Sequence, residues 1–153
     1  MSDKFEELYH QIPKLISKIN SDLTPNWGSM HVHEMMEHLT TGFELSLSYE
    51  DFEITTPEDK IPSFQRFLMS DRPFGKGSPM PKNYQNFKTT NSETLERAKE
   101  RFVGKLKELK EITESDSKFW SIHENFGRLN AEQTRQLHFK HITHHFTQFG
   151  VIQ

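Results

Sequence analysis

His141 and His145 stand four residues apart in the segment RQLHFKHITHHFTQFG. On a helix that spacing sets two imidazoles one turn apart on one face, close enough to share a metal ion. His144 lies about 100° around the same wheel from His145 and is directed toward a neighbour or solvent, which makes His145 the second ligand. His138, Ile142 and Phe149 flank the face of the pair. The competing account treats both rings as ordinary polar positions on an amphipathic helix. A metal needs a third donor from another element, and with no Cys in the chain no thiolate can provide it. His38 is the candidate. It lies at the edge of the apolar side of the segment HVHEMMEHLTTGFELSLS, with His31 and Leu45 on roughly its own stripe and Glu34 one turn before it, whereas His33 points away. A lone His at an apolar margin can equally be a hydrogen-bonded structural residue.

These rings require helices to carry them. Residues 2–20 set Phe5, Leu8, Tyr9, Ile12, Leu15, Ile16 and Ile19 at three- and four-residue spacing, predicting a first amphipathic helix with Ser2 as its N-cap. Pro13 lacks an amide donor and crowds the carbonyl of Tyr9, so a kink or break is expected there. After the turn-forming SDLTPNWG, Ser29 offers an N-cap to the second helix, whose apolar side is Val32, Met35, Met36, Leu39 and Phe43. Trp27 and Gly28 belong to the turn that positions it. From Asp51 to about Asn91 the prolines and glycines leave room only for a short helix around FQRFLM, so this stretch is expected to be a long crossover lying over the helices. Thr90 to Glu93 has capping-box spacing ahead of a third long helix through Leu95, Ala98, Phe102, Leu106, Leu109 and Ile112. The segment SDSKFWSIHENFGRL is expected to be a second loop. Asn130 to Gln133 repeats the capping-box spacing and starts a final helix that Gly150 can end. The fold expected is all-α, a four-helix bundle with a long crossover between the second and third long helices, built as a single domain over residues 1–153.

Bulk properties narrow the function. A chain of 153 residues suits one domain with a real core, to which 13 Phe bring much of the buried area. Five of the nine His (His123, His138, His141, His144 and His145) fall in the last quarter. A formal net charge of -3 gives no reason to expect nucleic acid as a partner. Neither a leader-like N-terminus nor a membrane span is legible, so the cytoplasm is the expected location. RPFGKG lacks the spacing of a phosphate loop, and no Ser elbow is present.

The segments PNWGSMHVHEMMEHL and HENFGRLNAEQTRQLHFKHITHHFTQFG together resemble the DinB-like (YfiT-like) superfamily, in particular its branch with a His-rich final helix ending in Gln-Phe-Gly. The resemblance spans both ends of the chain and loosely the third helix, but not residues 51–90. It implies a four-helix bundle holding a divalent metal, zinc or nickel, through His38, His141 and His145, with a dimer as the expected assembly. Relatives of this branch often carry His-Pro ahead of a Phe-Gly turn, which here is Phe126-Gly127, whereas His123 is followed by Glu124 and Asn125, so the resemblance implies no specific role for His123.

Three neutral imidazoles would leave an ion charged and with an open position, the pattern of catalytic rather than structural sites. Bound water is then acidified, or a thiolate takes its place. The superfamily includes thiol transferases, so the resemblance implies metal-dependent transfer of a low-molecular-weight thiol to a small-molecule electrophile. A metal-dependent hydrolase and a non-catalytic module for a metal or small ligand are the alternatives. The last of these would pair with itself through exposed aromatics such as Phe64 and Phe67. Glu34 is the candidate general base or orienting carboxylate, and His138 the candidate proton shuttle or supporting ring. A solvated carboxylate and a buried structural ring are their plain alternatives. Gln148 and Phe149 are assigned to packing near the site.

Overall fold

The computed structural model describes residues 3–86, 92 and 94–153, and these are mostly helical with one small antiparallel sheet. The elements in chain order are α1 (Lys4–Ile16), α2 (Val32–Leu47), a 3-10 turn (Glu58–Lys60), α3 (Ile61–Met69), α4 (Lys82–Asn86), α5 (Leu95–Ser115), β1 (Trp120–His123), β2 (Gly127–Asn130) and α6 (Ala131–Gln148). No described helix is long and apolar enough to cross a membrane.

Helix α1 buries Phe5, Leu8, Ile12 and Leu15, the three- and four-residue stripe that the sequence displays. Its N-cap is Asp3, whose carboxylate accepts from the Glu6 amide, while Ser2 lies outside the described residues. Of the kink or break expected at Pro13, the break does not occur. The helix runs through Pro13 and ends one turn later at Ile16, where the missing amide costs a single hydrogen bond near an end that would fray anyway.

Helix α2 starts at Val32, and the residue capping it is His31 rather than the expected Ser29. The His31 amide donates to the Glu34 carboxylate at 3.2 Å. Helix α5 is capped by Thr94, which accepts from the Arg97 amide; the expected Thr90 and Glu93 pairing lies outside the described residues. At α6 the expected box is present, with Asn130 and Gln133 exchanging amide to side-chain bonds of 2.9 Å each. The helix ends where Gly150 takes a φ of 72°, and the Val151 amide reaches back to the Phe146 carbonyl at 2.8 Å, a Schellman ending that only Gly fits without strain.

The main core lies among α1, α2, α5 and α6. Phe102 of α5 sits between Phe43 of α2 and Phe146 of α6 at ring separations of 5.3 and 5.9 Å, all three fully buried. Tilted rings at such distances add to the area term that drives their burial. Arg101 crosses from α5 to Glu37 and Glu44 of α2.

The segment expected to be a second loop is instead a hairpin. β1 and β2 pair antiparallel with Ser121 opposite Leu129 and His123 opposite Gly127, whose φ of 78° lets the chain reverse tightly. Four-residue strands leave too little alternation to detect, and the inward residue Ser121 is polar, bonded at 2.8 Å to Thr134 of α6.

The crossover does lie over the helices, and it is fastened there through side chains. The expected short helix is α3, with Pro62 in its first turn. Gln65 donates to the Phe126 and Arg128 carbonyls, Gln136 and Lys140 of α6 donate to the Leu68 and Phe67 carbonyls, and Glu124 accepts from the Asn83 amide. Phe64 is exposed, as expected, whereas Phe67 is partly buried against a satellite cluster of Leu68, Phe126, Leu129 and Leu137.

Candidate metal centre

Helices α2 and α6 face one another so that the Nε2 atoms of three imidazoles meet. His38 Nε2 lies 2.9 Å from His141 Nε2, which in turn lies 3.2 Å from His145 Nε2. One ligand atom from each ring falls within 4.8 Å of the other two, and the three could hold a metal ion. The spacing tests that fit. Nitrogens bound tetrahedrally to zinc at about 2.0–2.1 Å are about 3.3 Å apart, close to both separations here. The rings meet edge to face, at 82° for His38 against each of the other two.

The tautomer is set by the chain itself. His145 Nδ1 lies 2.7 Å from the Gln148 side-chain oxygen, which can only accept, so Nδ1 carries the proton and Nε2 keeps its lone pair. Gln148 is fixed in turn, since its Nε2 donates to the Trp27 carbonyl at 2.9 Å and its own carbonyl accepts from the Asn26 amide at 2.7 Å. A Cβ on Gly28 would come within 3.1 Å of the Gln148 amide nitrogen, and the φ of 78° there disfavours a side chain as well. Thus the Trp27–Gly28 turn, assigned from sequence to positioning the second helix, also holds the outer partner of a candidate ligand. Gln148 has a defined role where only packing was expected. A carboxamide three residues after a candidate ligand was the signal that could have revealed it.

Removing that partner is expected to loosen metal binding without unfolding the chain. For Gln148→Ala, zinc affinity measured by chelator competition should fall roughly 10–100-fold, the usual effect of losing the group that orients a ligand imidazole. An unchanged affinity would show that His145 needs no such support.

Electrostatics keep the cluster neutral. Burial, reinforced by His145 and His144, lowers His38 to about 3. Burial lowers His145 to about 4 against the opposing pull of Gln148, and burial with the neighbouring rings holds His141 well below the usual imidazole value. Neutral rings with free lone pairs are the state in which His ligates metal.

A cavity of about 380 Å³ opens beside the three rings. Its wall includes Phe67, Phe74 and Met80 from the crossover, Tyr84 from α4 and Phe126 from the hairpin. Among the described residues that line it there is no Asp, Glu, Lys or Arg. Tyr84 was not anticipated from sequence. Its ring lies 4.9 Å from that of His38 and 5.6 Å from that of His141, and its hydroxyl occupies the space beside α2 that a Cβ on Gly42 would invade at 2.8 Å. Burial and the Glu124 carboxylate push the Tyr84 phenol up, so it stays protonated and able to donate. His123, left without a role by the resemblance, lines the same cavity from the end of β1, as does His144, whose ring centre is 4.9 Å from that of His145.

For Glu34 and His138 the geometry matches the plain alternatives, a solvated carboxylate and a buried structural ring. Glu34 caps α2 with its side chain 60% exposed and does not line the cavity, because the cap draws the carboxylate back to the His31 amide and away from His38. His138 is fully buried in the core. Its Nε2 lies 2.8 Å from Ser46 Oγ and its ring stands edge-on to Phe43 at 5.1 Å, with no face on the cavity.

Compared with protein-family models, with curated proteins and with solved structures, the chain gives no match. The functional reading therefore rests on the site.

Proposed function

We propose that the chain is a DinB-like metalloenzyme that transfers a low-molecular-weight thiol to small apolar electrophiles. In this reading α1, α2, α5 and α6 are the members of a four-helix bundle, and His38, His141 and His145 hold a divalent ion, zinc or nickel. The observation that carries it is the meeting of three Nε2 atoms beside an uncharged aromatic cavity, with the His145 tautomer fixed for ligation. Bound there, the ion would supply the Lewis acidity that keeps a thiol as its thiolate near neutral pH.

The apolar, aromatic wall suits a thiol and an apolar electrophile, and a thiol with an ordinary pKa of about 8.5 ionises with far less help than water does. The chain's own groups then bind, orient and exclude. Gln148 keeps the His145 ring in place, Tyr84 offers a protonated hydroxyl next to His38, and Phe67, Phe74 and Phe126 take the apolar body of the electrophile and keep water out. In the transfer the sulfur bonds to the electrophilic carbon while the bond from that carbon to its leaving group breaks. The leaving group departs with the electron pair, and the thiol proton passes to solvent.

The test is conjugation of a chloronitroarene with a panel of small thiols by protein purified without a His tag and loaded with zinc or nickel. Turnover that stops on chelation and returns with the metal is the expected result. Metal-replete protein inert toward the whole panel would overturn the enzyme reading and leave a binding module.

A further inference from the structure

The metal cavity shares a wall with another. A second cavity of about 320 Å³ borders it through Phe74 and His144. Lys4, Arg72, Lys76 and Lys140 line it together with a single carboxylate, Asp71, and Lys4 holds that carboxylate. Among the described residues none of the other three cations forms an ion pair. Arg72 lies 5.7 Å over the Phe67 ring and Lys76 lies 4.5 Å over Trp27. Lys140 is only 5% exposed, with its Nζ donating to the Phe67 carbonyl at 2.6 Å and lying 4.3 Å from the Phe67 ring centre.

Solvent satisfies Arg72 and Lys76 well enough, and alone they would mean little. Lys140 differs. An ammonium taken out of water demands an opposite charge close by, and one carbonyl, an aromatic face and the field of an Asp71 carboxylate already held by Lys4 compensate it only in part. Four cations against one carboxylate give this wall a formal charge of +3, on a chain whose net charge is -3. A cavity so lined focuses its potential on an anion of small-molecule size.

We propose that this second cavity binds the carboxylate or phosphate end of a small ligand whose other end reaches the metal cavity past Phe74 and His144. The inference deepens the thiol-transfer reading by making the thiol co-substrate an organic anion, and its reach to the metal rests on that reading. The anion site itself rests on Lys140, Arg72 and Lys76 alone.

The experiment compares mercaptopropionate with mercaptoethanol on the zinc-loaded protein by calorimetry. Mercaptopropionate should bind at least about ten-fold more tightly, the order expected when one charge-assisted hydrogen bond is added. In the Arg72→Ala, Lys76→Ala double variant that advantage should shrink toward parity while zinc stoichiometry is kept. Titrating acetate and inorganic phosphate separately, with amide NMR shifts followed near Phe74 and His144, distinguishes a carboxylate from a phosphate end by which of them moves the signals at lower concentration. Parity of the two thiols on wild-type protein that holds zinc, with neither anion moving those signals, would overturn the anion site and spare the metal centre. Anion shifts in a protein that takes up no zinc would support the anion site and overturn the metal reading together with the proposed reach.

Discussion

His141→Ala is expected to abolish stoichiometric metal binding while leaving a folded protein. His141 is the middle ring of the three, with its Nε2 at 2.9 Å from that of His38 and 3.2 Å from that of His145, so its removal separates the two remaining donors as well as subtracting one. Structural zinc sites with four ligands bind with roughly 10–16 kcal/mol in total, about 2.5–4 kcal/mol for each ligand, which predicts a loss of roughly 10²–10³ in affinity. Metal analysis after gel filtration, with competition against a chelator of known affinity, reads the change. Far-ultraviolet circular dichroism reports the fold, which is expected to persist because the core rings Phe43, Phe102 and Phe146 are untouched. His33→Ala serves as the control, since His33 pairs with Glu37 at 3.4 Å and takes no part in the cluster. A full equivalent of metal on the His141 variant would remove the ligand assignment.

Acid should unfold the metal-free protein over a narrow range beginning near the ordinary imidazole pKa. Burial lowers His38 and His138 to about 3, His123 and His145 to about 4, and His141 in the same direction. Each of these rings is neutral in the fold and protonates near 6.5 once unfolded. The unfolded chain therefore binds more protons between the two values, and folding stability falls as pH drops below about 6.5. By about pH 5 each such ring has withdrawn about 2 kcal/mol. The four rings lowered to about 3 or 4 together reach the stability of an ordinary domain, about 5–15 kcal/mol, and His141 adds in the same direction. Urea titrations at successive pH values should show the midpoint falling steeply between about pH 6.5 and pH 5, with several protons taken up on unfolding. Bound metal should move that fall to lower pH, because the ligand rings must release the ion before they protonate. A midpoint that stays flat across the interval would mean that the rings titrate normally within the fold.

The cluster of three imidazoles that could hold an ion was legible in the sequence because a helix converts spacing into direction. His141 and His145 share a face by arithmetic, and the apolar stripe of α2 placed His38 at its inner margin. The same arithmetic could not choose between the two readings of Glu34 and of His138. Each is within one turn of a ligand, yet a wheel says nothing of which neighbour claims the side chain. The backbone at the start of α2 claims Glu34, and Ser46 and Phe43 claim His138. His144 shows the same limit. It was directed on the wheel toward a neighbour or solvent, and the crossover folding over it supplies Phe74 and turns its position into cavity wall.

What the sequence determined by itself is the periodic part: the long amphipathic helices, the capping box of α6, the Gly150 stop, and a pair of imidazoles on one helical face. These follow from local rules, since hydrogen bonds within a turn and apolar residues every three or four positions need no distant partner. Tertiary structure alone decided the rest. The hairpin, the aromatic wall brought by Phe74 and Tyr84, the tie from Trp27 through Gln148 to His145 and the meeting of His38 with its partners 103 and more residues away all depend on which surfaces pack together, and aperiodic segments carry no local record of that.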